Sequence, residues 1–155
     1  MYQIIDALKS LVFPTRCELC LQPTIPICSL CSHLLSSSSQ LLYGFSEVVA
    51  AGFSYNEASA RIVLRAKERG IRSAQQSLAL TLWSAFSLLQ ITEPKVALVP
   101  VPSSKEAIRR RGRNFIIEIL EEFILLEKSR SRRYPKIRME IHDVLTHQRK
   151  VRDQS

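Results

Sequence analysis

Four cysteines open the chemistry. Cys17 and Cys20 form one C-x2-C pair, Cys28 and Cys31 form a second, and seven residues separate the pairs. Two such knuckles supply four soft thiolates that can close tetrahedrally on zinc. The intervening loop 21–27 is shorter than the commoner ribbon spacing, but Pro23 and Pro26 make a tight turn plausible. Two disulfides, unligated thiols or a redox C-x2-C are the alternatives. Disulfides are rare in reducing compartments, and nothing in the chain signals secretion. Four protein ligands would leave no open coordination position, so the expected zinc is structural and not catalytic. His33 follows Cys31 by two residues; it could replace a ligand, or it is an exposed or capping side chain.

A second group of residues could hold an anion. Ser103, Ser104, Lys105 and Glu106 follow an apolar run ending in prolines, and Ser103 with Glu106 has the spacing of a capping box. A helix beginning there would offer unpaired amides and a positive dipole end to a phosphate. Arg109, Arg110, Arg111, Gly112, Arg113 and Asn114 form the densest cluster of positive charge. Arginine pairs bidentately with phosphate, and Gly112 could allow close backbone approach. The competing readings are an ordinary cap and a solvated basic helix end. No Ser/His/Asp or Cys/His set suggests hydrolysis, His142 and His147 have no evident partners, and the chain contains neither a P-loop nor GxGxxG.

The chain has 155 residues, 46% of them apolar and 23% charged, with a net charge of +8. This is a globular composition, large enough for one domain plus a small metal-stabilised module. The positive excess is uneven: residues 105–155 hold 14 basic and 8 acidic side chains. An anionic partner is therefore expected, whether a phosphate-bearing ligand, nucleic acid or an anionic membrane surface. Asp6, Lys9 and Pro14 interrupt any signal-like apolar core. The apolar run 78–91 is too short for a span and reads as a buried helix. A soluble, cytoplasmic protein is expected.

The elements that must position these groups can be read from periodicity and punctuation. Residues 1–13 suggest a short helix, ended by Pro14. Residues 1–35 are assigned to this helix and the cysteine module, and 36–46, with four serines, to a linker. From 47 to 155 strands alternate with helices: a strand at 47–55, a helix from Asn56 to about Arg69 with Gly70 behind it, and an apolar helix at 74–91. A strand follows at 96–101, then the helix that Ser103 starts, a helix at 114–127, an exposed basic stretch at 129–138, and a last strand at 139–145. This pattern predicts an α/β unit with a largely parallel sheet.

Taken in order, Val12-Phe13-Pro14-Thr15-Arg16-Cys17-x2-Cys20, Arg61-Ile62-Val63, Lys67-x2-Gly70, Leu98-Val99-Pro100-Val101-Pro102-Ser103, Arg111-Gly112-Arg113-Asn114 and Arg152-Asp153-Gln154-Ser155 resemble the ComF family. These are competence protein F and GntX-like proteins, which join an N-terminal zinc ribbon to a type I phosphoribosyltransferase-like domain. The resemblance runs over essentially the whole chain. It implies a Rossmann-like parallel sheet with flanking helices and a ligand of the phosphoribosyl diphosphate (PRPP) type. It also implies phosphate or pyrophosphate contacts from Ser103, Ser104, Lys105, Arg111, Gly112, Asn114 and Lys67. The family has an aromatic residue where this chain has Arg113. Its PRPP signature, a strand, two acidic residues and a Thr/Ser-Gly turn, has no counterpart: the acidic pair Glu121-Glu122 lies in a predicted helix. The domain is thus expected to be incomplete, as in a ComF protein lacking about its last quarter. Magnesium with PRPP is expected only where a full site exists.

Three roles follow as expectations. One is a transferase-type fold with little or no turnover. Another is an accessory of DNA uptake in natural transformation, contacting single-stranded DNA or the competence machinery through the ribbon and the basic surface. The last is a non-functional remnant with an exposed apolar face and sheet edge.

Overall fold

The computed structural model describes residues 16, 17, 20, 22, 28, 31, 38–44, 47–130 and 137–146. The expected helix at 1–13, most of the basic stretch 129–138, His33 and His147 lie outside these residues.

Helix α1 (Glu57–Arg69) begins where sequence places it. Asn56 is extended and its side chain accepts the Ser59 amide, while the Ser59 hydroxyl accepts the Asn56 amide, a reciprocal cap. Gly70 ends the helix in the left-handed region at φ 65°, with its amide bonded to Arg65. Only Gly70 and Ile71 separate α1 from α2 (Arg72–Leu88), so the two helices pack side by side. Ile62 and Ala66 are the buried stripe of α1.

Helix α2 is central, packing against α1, α4 and both strands of the hairpin β1–β2. Its buried positions are mostly small: Ala74, Ser77, Ala79, Thr81 and Ala85, with Leu78 and Gln75. The hydroxyls of Ser77, Ser84 and Ser87 bond back to the carbonyls four residues earlier, and Thr81 bonds to Leu78. Polar residues are thereby tolerated in a helix surrounded by protein.

Strands β1 (Gln40–Leu42) and β2 (Val49–Ala51) form an antiparallel hairpin with Leu41 opposite Ala50. The hairpin meets α2 closely at Gly52, where a Cβ would stand 3.1 Å from the Thr81 carbonyl oxygen. Strands β3 (Lys95–Leu98) and β4 (Arg138–Ile141) pair in parallel, with Val96 opposite Met139 and Leu98 opposite Ile141. Parallel pairing requires a long crossover, which α3 (Lys105–Arg111) and α4 (Phe115–Arg130) supply. Leu98 and Met139 pack on the core, whereas Lys95, Ala97, Arg138 and Glu140 face outward. The core joins Ile62 and Ala66 of α1, Ala74, Leu78 and Ala79 of α2, and Phe115, Ile119 and Phe123 of α4. The Phe86 and Phe123 rings meet edge-on at 5.4 Å, and the Trp83 indole donates to Glu127 at 2.7 Å.

Mixed helix and strand architecture is therefore present, but the expected continuous parallel sheet is not seen among the described residues. They hold two separate two-stranded sheets, one of them antiparallel. Residues 40–42, assigned by sequence to the linker, are β1, and the expected strand at 47–55 contracts to its pairing partner β2. The strand expected at 96–101 stops at Leu98 ahead of Pro100, which has no amide to donate. The cap expected at Ser103 falls one residue later: the Ser104 hydroxyl accepts the Ala107 amide, and the reciprocal Glu106 contact of a capping box is lost.

Phe123→Ala is expected to cost about 3–5 kcal/mol, whereas Leu125→Ala, at an exposed position on the same helix, should change stability by under about 0.5 kcal/mol. Urea unfolding midpoints of the two variants check this.

Candidate functional site

The sulfurs of Cys17, Cys20, Cys28 and Cys31 all lie within 4.8 Å of one another, and no disulfide joins them. A tetrahedral ion with metal–sulfur bonds of about 2.3 Å separates its sulfurs by about 3.8 Å. The Cys20 and Cys28 sulfurs stand 3.7 Å apart, far beyond the roughly 2.05 Å of a disulfide. The Cys28 amide donates to the Cys17 sulfur at 3.5 Å, a contact that stabilises thiolate charge, and the Cys17 amide bonds the Gln22 carbonyl at 2.9 Å. Cys17 and Cys31 are buried, Cys28 is half-buried and Cys20 is exposed. Burial, followed by hydrogen bonds among the clustered sulfurs, raises the Cys31 thiol far above its ordinary range. A divalent cation bound here would displace the thiol protons, since thiolate and not thiol is the ligand. The donor set and spacing fit zinc, held by Cys17, Cys20, Cys28 and Cys31.

The residues considered for phosphate fall into two groups. Ser103, Ser104 and Lys105 stand at the start of α3, whereas Arg111, Gly112 and Asn114 stand at its end. About 10 Å of helix separates the groups. Ser104 is engaged as the cap, Ser103 is half-buried and Lys105 is exposed. Arg111 has a buried side chain, 3% exposed, whose guanidinium faces the Glu68 carboxylate at 3.2 Å. Gly112 is the left-handed cap of α3 at φ 69°, with open space where a Cβ would stand. The Asn114 carbonyl accepts the Glu118 amide; its side-chain Oδ1 is buried and unpaired among the described residues. Lys67 is half-buried on α1, near this second group.

The side chain that joins these elements is Arg113. Its guanidinium donates to the carbonyls of Ala66 and Lys67 at the end of α1, in the latter case at 2.9 Å, and to the Glu118 carboxylate on α4. It also covers Gly70, where a Cβ would meet it at 3.1 Å. Gln75 of α2 donates to the same carboxylate. Carbonyls left unpaired at the end of α1 are thus satisfied by a cation 46 residues away. Sequence reading places Arg113 in the basic cluster that could hold an anion and marks it as a departure from the ComF pattern. Nothing local announces this role, because its acceptors lie on other helices.

Comparison with family models, with curated proteins and with solved structures returns no match for this chain. The four-cysteine geometry and the helix junction stand on the structure alone.

Three outcomes are expected. Chelation, or Cys17→Ser, should abolish stoichiometric zinc binding, measured by elemental analysis. Because raised thiol pKa values mean that zinc must expel protons, affinity should fall as pH drops and still be rising above neutrality. A chelator competition series across pH reads this. Arg113→Lys should lower stability by about 2 kcal/mol, since an ammonium cannot reproduce the planar fork to two helices; thermal denaturation checks it.

Proposed function

We propose that the chain is a zinc-organised protein of ComF type, in which a tetrathiolate module accompanies an α/β unit that binds a phosphate-bearing sugar. The four-cysteine cluster is the observation that carries the reading, because it is the part of the ComF pattern with the most specific chemistry. The parallel pair β3–β4, with its crossover through α3 and α4, is compatible with a Rossmann-like unit. PRPP is the ligand that the resemblance implies. Ser103 and Lys105 would contact phosphate at the start of α3. Binding without efficient transfer is the proposed activity, because no acidic pair followed by a Thr/Ser-Gly turn exists in the sequence to hold the ribose.

Zinc analysis of the purified protein and calorimetry with PRPP and magnesium test this. The expected result is about one zinc per chain and saturable PRPP binding. Lys105→Ala should weaken that binding roughly tenfold, the loss of one charge-assisted contact. Absence of PRPP binding by a folded, zinc-loaded protein would overturn the ligand assignment, and absence of zinc the whole reading.

A further inference from the structure

The four sulfurs are not equivalent. Cys17 and Cys31 are buried, whereas the Cys20 sulfur is exposed and 3.7 Å from that of half-buried Cys28. One edge of the cluster therefore faces solvent, and that edge contains two sulfurs from different knuckles. Thiolate character and access together decide which cysteines react with oxidants. Metal ligation gives all four sulfurs thiolate character, so access is the discriminating factor.

We propose that the Cys20–Cys28 edge is a peroxide-sensitive switch that opens the metal site. The inference rests on the zinc reading above. The Cys20 thiolate attacks one peroxide oxygen, breaking the O–O bond, becoming a sulfenic acid and releasing hydroxide. The Cys28 thiolate then attacks the Cys20 sulfur, forming the disulfide and expelling a second hydroxide. Two electrons from two sulfurs have reduced one peroxide. Cys17 and Cys31 remain as only two ligands, too few to retain a structural zinc. A dithiol reductant reverses the bond and restores all four donors. The geometry favours this pair over the buried sulfurs because each of those would have to emerge before meeting the oxidant.

The zinc-loaded full chain should be titrated with hydrogen peroxide while zinc release is followed with a chromophoric chelator. Chymotryptic mapping after thiol blocking locates the bond, since cleavage after Leu21 and Leu30 puts Cys20, Cys28 and Cys31 on separate peptides. The expected result is release of about one zinc per peroxide consumed, a Cys20–Cys28 disulfide, Cys17 and Cys31 still alkylatable, and zinc rebinding after dithiothreitol. Limiting iodoacetamide on the zinc-loaded protein should label Cys20 first. Zinc that stays bound under excess peroxide would overturn the switch while leaving the zinc reading intact. A first disulfide through Cys17 or Cys31, or first labelling there, would do the same. A purified protein that holds no zinc overturns both.

Discussion

The described fold depends on packing α2 between two helices and a hairpin. A helix in contact with two helices and a hairpin has little room for large side chains, and Ala74, Ala79, Ala85, Ser77 and Thr81 let its neighbours approach. Its hydroxyls are satisfied within its own backbone, so they cost little on burial. The larger side chains come from the surrounding elements, Ile62 from α1 and Phe115, Ile119 and Phe123 from α4. Gly52 continues the same logic on the hairpin side, where backbone meets backbone beside Thr81.

Arg113 and Glu118 complement that apolar packing with a polar tie. The guanidinium satisfies the end of α1, the carboxylate receives Arg113 and Gln75, and three helices are fixed in register where they converge. Arg111, at the end of α3, makes a similar tie to Glu68 of α1. Much of the arginine cluster is therefore turned toward protein, and a cluster of positive charge in sequence is not equivalent to a positive surface. Arg110, 60% exposed, stands 3.8 Å from the same Glu68 carboxylate at the surface, and Lys105 is exposed.

The cysteine module is organised by different physics. The Cys17, Cys20, Cys28 and Cys31 sulfurs, gathered within 4.8 Å of one another and outside the apolar core cluster, define it among the described residues. Its exposure is uneven: Cys17 and Cys31 are buried, Cys28 is half-buried and Cys20 is exposed.

By itself, the sequence determined the features that are local. The paired C-x2-C spacing marked the four-cysteine cluster, Asn56 and Gly70 marked the ends of α1, and the long uncharged run marked α2, because capping, cysteine spacing and periodicity act over a few residues. Tertiary structure decided what depends on distant partners. It drew β1 out of the apparent linker by pairing it with β2, placed β3 and β4 together across two helices, and separated Ser103 from Asn114 by the length of α3. It also turned Arg111 and Arg113 inward onto Glu68 and Glu118. Glu68 and the Ala66 and Lys67 carbonyls lie more than 40 residues away on α1, and no local pattern encodes which distant carboxylate or carbonyl a long cation will meet.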